Sequence, residues 1–271
     1  MKHAGVNHEI LDSISALPRT TGVYIFKGEG TLPIYIGKSL DIRSRVLSHL
    51  RDKSEARMIA QTRRVEFIET AGELGALLLE ARLIKQLSPV FNIRLRRLRN
   101  LCSIRLTEKN GAVTPEILSG KSIPIGLVDD IYGLFSSVHS AQIKLRELAD
   151  QHQLCQGLLG LEKISKRGCF GLQIKTCLGA CVGQELRSEH DQRLLSALKS
   201  LKVHVWPFSG PVDIVEQSGD WTQRHRIQDW RYISTWCSKT NEFSTHEQTS
   251  FDLDTYKILV KPIMMRTVKI E

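Results

Sequence analysis

The 271-residue sequence contains no apolar run near the roughly 18–20 residues needed to cross a bilayer, so no membrane partner is expected. Its opening, MKHAGVNHEILDSISALPRT, lacks the apolar core of a signal peptide, which argues against secretion. There is no internal repeat and no long low-complexity tract. An apolar content of 41% with a charged content of 25% argues against a disordered or fibrous chain. A soluble intracellular protein of one large or two modest domains is expected.

Acidic residues are locally scarce as well. Lys+Arg number 38 against Asp+Glu 29, a net charge of +9, and the excess is clustered. No carboxylate occurs from Ala81 to Thr107, where Arg82, Lys85, Arg94, Arg96, Arg97, Arg99 and Arg105 all fall. A second cluster holds Lys38, Arg43, Arg45, Arg51, Lys53, Arg57, Arg63 and Arg64, relieved only by Asp41, Asp52 and Glu55. Arginine forks match phosphate geometry, so nucleic acid is the favoured partner over a merely solvated charged face.

Val23–Lys27 and Ile34–Ile36 read as short strands joined through Gly28, Gly30 and Pro33. Ser39 is the expected cap of a helix to about Leu50, on which Arg45 and His49 lie four apart and are neighbours. Ser54 opens a second helix, and Val65–Glu69 alternates like a strand. Thr70-Ala71-Gly72-Glu73 has the form of a capping box opening a helix to about Leu87. That helix carries an apolar stripe of Leu74, Leu77, Leu78, Ala81 and Ile84, with Leu79 and Leu83 on another side, so cover on more than one face is expected. Glu80 falls at the stripe's edge and needs a compensating cation or donor. Further on, strands are expected at Leu101–Thr107, Tyr132–Ser136 and Val203–Val205, helices at Ala141–His152 and Glu185–Leu201, and an apolar run at Tyr256–Val260.

Gly22-Val23-Tyr24 followed by Tyr35-Ile36-Gly37 resembles the signature of the GIY-YIG nucleases, with Val for Ile in the first triplet. Lys38 next, Arg45 on the following helix, Glu80 in an apolar helix and Asn92 past its end match the family order. The block 18–93 resembles the N-terminal nuclease domain of the bacterial excinuclease UvrC, and nearly the whole chain resembles that protein's short paralogues, the Cho endonucleases. The resemblance implies an α/β (α+β) fold with a small three-stranded antiparallel sheet flanked by helices. The expected division is a nuclease domain at 18–93, a basic linker and mixed region at 94–154, a Cys-rich region at 155–200 and a smaller mixed α/β region at 201–271.

It further implies a bacterial cytoplasmic endonuclease of nucleotide-excision repair. Such an enzyme makes the 3′ incision in damaged double-stranded DNA already marked by the excinuclease damage-recognition subunits UvrA and UvrB. The chain ends at Glu271, without room for the second nuclease domain of UvrC, so a 5′ incision is not expected. No clear counterpart of the helical segment that binds UvrB is visible.

Phosphodiester hydrolysis needs an activated water, charge stabilisation at the phosphoryl oxygens and help for the leaving 3′-oxygen. Glu80 offers an oxygen ligand to one Mg²⁺ or Mn²⁺, and Arg45 would neutralise phosphoryl charge. Tyr35 is the first choice for the water's proton, with Tyr24 and Lys38 beside it. A free Tyr titrates near 10, so this needs cations such as Lys38 and Arg45 to lower its pKa. His49 can relay the proton or contact DNA, and Asn92 orients Glu80 or a backbone segment. Arg43, Arg94, Arg96, Arg97 and Arg99 are candidate DNA contacts. Singly, each residue has an ordinary alternative: a sheet aromatic, a salt-bridged helix Glu, a surface cation. A nucleotide-binding loop at Gly37-Lys38-Ser39 is rejected, since the required earlier glycine is Leu32.

Six cysteines in an intracellular chain argue against disulfides. Cys155, Cys169, Cys177 and Cys181 are grouped, but only Cys177 and Cys181 have the close spacing of a zinc pair. Four unevenly spaced thiolates also suit a [4Fe–4S] cluster, and a set of buried or free thiols is the plain alternative. The segment resembles the Cys-rich region of UvrC, so the cluster is preferred over zinc. Cys102 and Cys237 read as packing residues. Two rival functions remain: a GIY-YIG nuclease outside excision repair, and a non-catalytic DNA-binding module.

Overall fold

A computed structural model describes residues 8–93, 101–120, 123–246 and 251–271. They fall into two compact units, one drawn from Met1–Leu98 with Phe208–Glu271 and the other from Arg99–Pro207.

In the first unit, α1 (His8–Ser15) precedes β1 (Gly22–Lys27), β2 (Pro33–Ser39), α2 (Ile42–Arg51), a 3₁₀ turn (Lys53–Glu55), α3 (Ala56–Gln61), β3 (Arg64–Glu69) and α4 (Glu73–Leu87). The strands form an antiparallel sheet in the order β2-β1-β3, pairing Tyr24 with Gly37 on one side and Phe67 on the other. Alternation along β1 sends Tyr24 and Phe26 to one face, where Ile42, Val46, Met58, Ile59 and Ile14 bury them. Val23 and Ile25 go to the other face, against Ile36 and Ile84, with Leu79, Leu83 and Leu87 packed around them. Both faces of the small sheet are therefore covered.

Two expected caps differ. Ser39 still belongs to β2, paired with Gly22, and its hydroxyl closes a turn onto the Asp41 backbone. The cap of α2 is Asp41, which accepts from the Ser44 N–H at 2.8 Å. At α4 the N-cap is Gly72, which has no side chain to offer. Thr70 instead donates to the Gly72 carbonyl, and Glu73 pairs with the Lys38 ammonium.

The second unit contains β4 (Cys102–Lys109), β5 (Ala112–Ser119) and β6 (Ile131–Phe135) in the order β5-β4-β6, then α5 (Val138–His152), α6 (Phe170–Gln173) and α7 (Arg187–Leu198). Ile104, Leu145, Leu148, Leu194 and Leu198 form its core. The expected strand at Val203–Val205 is absent: Val203 is tied by its N–H to the Ile131 carbonyl, and only Lys202 makes a bridge, to Tyr132. β5 is not among the expected strands, although Asn110-Gly111, both at positive φ, is the turn that such a hairpin demands.

The chain then returns to the first unit as β7 (Val212–Ser218), β8 (Trp221–Gln228), β9 (Arg231–Cys237), β10 (Glu242–Thr245), α8 (Leu253–Met264) and β11 (Lys269–Ile270). The sheet order is β10-β9-β8-β7-β11, and α8, which contains the apolar run at Tyr256–Val260, packs on α4 and β9. Among the described residues no helix is long and apolar enough to cross a membrane.

Candidate active site

The two glycines of the triplets are steric necessities. A Cβ on Gly37 would fall onto the hydroxyl end of Tyr24, because the ring lies across its cross-strand partner. One on Gly22 would meet the Ile68 carbonyl oxygen and come within 2.9 Å of Glu69 Cα. The bare backbone of β2 thus lets Tyr24 lie flat beneath the strand. Tyr24 and Tyr35 share that face, with ring centroids 6.2 Å apart.

From α2, Val46 points into the core while His49, one turn after Arg45, turns inward at 2% exposure. The His49 Nε2 lies 2.7 Å from the Tyr24 hydroxyl, and its Nδ1 meets the Glu55 carboxylate. Its ring also stands 5.5 Å from that of Tyr35. Arg45 remains exposed at the rim and interacts with Tyr24, which raises its own pKa and opposes the rise at the phenol. Tyr35 feels charges of both signs: the Glu80 and Glu55 carboxylates push its pKa up and the Arg45 charge pulls it down.

α4 carries Glu80 to the edge of β2. Its Oε1 accepts from the Lys38 N–H at 3.0 Å, and its other oxygen has no hydrogen-bond donor among the described residues. Burial raises the Glu80 pKa, opposed by that N–H and by the charge of Lys38. The Lys38 ammonium is engaged elsewhere, on Glu73. Past the end of α4, Asn92 works on the backbone: its Oδ1 accepts from the Ile36 N–H at 2.9 Å and its Nδ2 donates to the Ile36 carbonyl at 2.8 Å. It finishes the exposed edge of β2 as a neighbouring strand would.

The cationic depression that a base role for Tyr35 requires is not met. Burial dominates and raises it, the two carboxylates add to the rise, and the Arg45 charge and the Tyr24 hydroxyl fail to offset them. Tyr24 is raised further still, chiefly by burial. Both phenols therefore hold their protons at neutral pH. Glu55, behind His49, was missed by the sequence reading; it sits in a charged stretch with nothing local to distinguish it.

Of the candidate DNA contacts, Arg43 donates to the Ser15 carbonyl at 3.3 Å, and Arg94, Arg96, Arg97 and Arg99 lie outside the described residues. In the second unit, the sulfurs of Cys155, Cys169, Cys177 and Cys181 lie within 4.8 Å of one another, the first three buried. The Leu172 N–H donates to the Cys169 sulfur and the Gly179 N–H to that of Cys177, each at 3.3 Å. His190 accepts from the Cys155 N–H at 3.2 Å and is oriented by Asp191 at 3.0 Å. Cys102 is buried in β4, and Cys237 accepts from the Trp221 indole.

Residues 20–93 match a family model described as the UvrC-like GIY-YIG domain, residues 101–200 the UvrC/Cho excinuclease middle domain, and residues 211–271 the excinuclease Cho C-terminal domain. Excinuclease cho of Escherichia coli K12 is 46% identical over 255 residues, covering 93% of this chain and 85% of that one. Its counterpart from Salmonella typhimurium LT2 is 48% identical over the same shares. UvrABC system protein C of Methanosarcina barkeri is 32% identical over 71% of this chain and 36% of that protein. The solved N-terminal endonuclease domain of UvrC from Thermotoga maritima, bound to magnesium, is 36% identical, covering 32% of this chain and 98% of that one with a TM-score of 0.30. Three consecutive domain matches and near-complete coverage of both chains lead to one conclusion: this chain belongs to the excinuclease Cho family of GIY-YIG nucleases.

Proposed function

We propose that this excinuclease hydrolyses one phosphodiester bond on the 3′ side of a lesion, in double-stranded DNA loaded by the damage-recognition subunits UvrA and UvrB. The observation that carries the reading is one small sheet whose second strand holds Glu80 through the Lys38 N–H at 3.0 Å, while Tyr24 on the strand beside it meets His49 at 2.7 Å.

Glu80, with one oxygen held by a backbone N–H and the other without a donor among the described residues, suits a hard cation. Mg²⁺ or Mn²⁺ binds through one or two carboxylates and keeps several waters. Bound there, the metal supplies positive charge to the phosphate and to the leaving 3′-oxygen. Arg45 neutralises the phosphoryl oxygens from the other side. Because both phenols are protonated, Tyr35 is not a ready-made base; it works as a relay. As water attacks, its proton passes to the Tyr35 oxygen, the Tyr35 proton moves to the Tyr24 hydroxyl with which it is hydrogen-bonded, and that of Tyr24 goes to His49 Nε2. The Glu55 carboxylate on Nδ1 stabilises the resulting imidazolium. Lys38 holds Glu80 through its N–H, and Asn92 holds the strand that carries Tyr35. Arg43, Arg94, Arg96, Arg97 and Arg99 supply phosphate contacts, so affinity should fall by about 10³ or more from low to moderate salt if six or more are made.

For the cysteines, we infer a [4Fe–4S] cluster that ties together a loop-rich region. A second reading, zinc, is favoured by the 4.8 Å limit on sulfur separations. One zinc at about 2.3 Å from each sulfur sets them about 3.8 Å apart, whereas a four-iron cluster needs a wider cage. Brown anaerobic protein with iron and sulfide supports the first, and colourless protein with one zinc the second.

The test of function is incubation with UvrA, UvrB, Mg²⁺ and a site-specifically damaged duplex, mapping the cuts. A single 3′ incision is expected, abolished by Glu80→Gln with DNA binding retained. Equal cutting of undamaged duplex would mean a nuclease outside repair. Binding without cutting would mean a binding module, and unchanged cleavage by Glu80→Gln would remove Glu80 as metal ligand.

A further inference from the structure

α4, the helix that bears Glu80, does not cap its own N-terminus. Gly72 occupies the cap position in extended backbone and makes no side-chain cap. The cap comes from β7, far along the chain. Glu216 accepts from the Leu74 N–H at 2.8 Å through Oε1 and from the Gly75 N–H at 2.7 Å through Oε2. His225 on β8 lies 3.2 Å from Glu216 Oε2 and is itself set by Thr235 at 2.9 Å. Beside it, Gln223 accepts from the Ala71 N–H at 2.9 Å. The fit is close: a Cβ on Gly72 would fall on the Glu216 carboxylate, and one on Gly75 would lie 2.7 Å from His225 Nε2.

The same C-terminal segment grips the rest of the helix. Arg82 meets His246 at 2.7 Å, and Lys85 pairs with Asp252 and, at 2.7 Å, with Asp254. Glu80 lies between these fixings.

We propose that the C-terminal module is a working part of the nuclease centre, with Glu216, oriented by His225, the positioning residue that sets α4 so that Glu80 meets the edge of β2. A carboxylate at a helix N-terminus satisfies two orphan donors and complements the helix dipole, so its loss lets the first turn fray and move. Glu80 sits two turns on, and its place against the Lys38 N–H depends on that turn. The inference rests on Glu80 as metal ligand.

The test uses the full chain and three readouts: Mn²⁺ binding followed by electron paramagnetic resonance, amide hydrogen exchange along α4, and thermal unfolding. Glu216→Ala should weaken Mn²⁺ binding about five- to tenfold, the equivalent of one lost cap, and speed exchange at Leu74 and Gly75. Glu216→Gln keeps one acceptor and the shape, so a smaller shift of the same sign is expected, and it serves if the alanine variant fails to fold. The sharpest arm is Gly72→Asp. In the parent it clashes with the Glu216 carboxylate and should weaken Mn²⁺ binding; in Glu216→Ala, where the space is open, it supplies a local cap and should restore binding. Unchanged Mn²⁺ affinity in both Glu216 variants overturns the proposal, as does a Gly72→Asp change that is equally harmful in either background. Parent protein that binds no Mn²⁺ would overturn the role of Glu80, whereas normal exchange at Leu74 and Gly75 in the variants would overturn the cap itself.

Discussion

Gly37→Ala tests the steric account of the second triplet directly. The added Cβ would fall onto the Tyr24 hydroxyl end and lie 2.9 Å from Cε2. An ordinary carbon contact is about 3.5–4.0 Å, so the ring must retreat by roughly 1 Å at its hydroxyl end. There is no room for this: Tyr24 is 1% exposed and packed between Phe26, Tyr35 and His49. Overpacking at such a site costs about 1–3 kcal/mol. Retreat also breaks the 2.7 Å bond to His49 and strands two buried polar groups, which costs about 1–3 kcal/mol more. A loss of about 2–6 kcal/mol is expected in urea unfolding, a large share of a typical domain's stability. Cleavage should fall by about 10² or more, since the proposed relay runs through the same bond. Gly30→Ala is the control: its φ of 92° makes substitution costly, but nothing lies within 4 Å, so cleavage should persist. Gly37→Ala protein within about 0.5 kcal/mol of the parent and still cutting would refute the argument.

Asn92→Ala removes both bonds to Ile36; a loss of about 1–3 kcal/mol, faster exchange at the Ile36 amide and weakened cleavage are expected. Arg45→Ala should slow cleavage about 10²–10³ in single-turnover assays with DNA affinity little changed, because one exposed cation among many is lost from binding. His246 gives a pH signature. Burial first, then the Arg82 charge, lowers its pKa from 6.5 to about 4. Between those values the unfolded chain binds more protons, so stability is full above pH 6.5 and is lost as the pH falls toward 4. After discounting for its partial exposure the loss is about 1–2 kcal/mol, read by urea titration at pH 7 and pH 4.5; His246→Gln should flatten the dependence.

How much of this was legible depended on how local each cause is. The Tyr24 and Tyr35 strands, the Arg45 and His49 helix and the apolar helix of Glu80 follow from short-range periodicity, and the triplets mark backbone positions where a side chain cannot fit. The grouping of Tyr35 with Arg45 and Glu80 is suggested only by resemblance, since it brings together residues from β2, α2 and α4, and Glu55 is not suggested even by that. The rise at Tyr35 has a physical reason that the sequence hides. Sequence displays the cations near Tyr35 but not the burial of its ring, and burial won.

The α4 terminus shows the same limit from the other side. Thr70-x-x-Glu73 is a sound local capping pattern, and it loses because Glu216 delivers both of its oxygens to Leu74 and Gly75 while Lys38 takes Glu73. A bidentate carboxylate satisfies two donors at once and leaves Glu73 free to hold Lys38, so the long-range arrangement satisfies more groups than the box would. One trace of it was present in the sequence. Gly75 lies inside a helix, where glycine costs roughly 1 kcal/mol against alanine, and no turn requires it there. The structure supplies the reason: His225 Nε2 would lie 2.7 Å from any Cβ at that position. A glycine that weakens its own helix marks a place where another part of the chain comes close. Gly75→Ala should therefore gain helix propensity yet destabilise the protein, by displacing His225 and loosening the Glu216 cap; a net gain in urea stability would show that the imidazole yields freely and positions nothing.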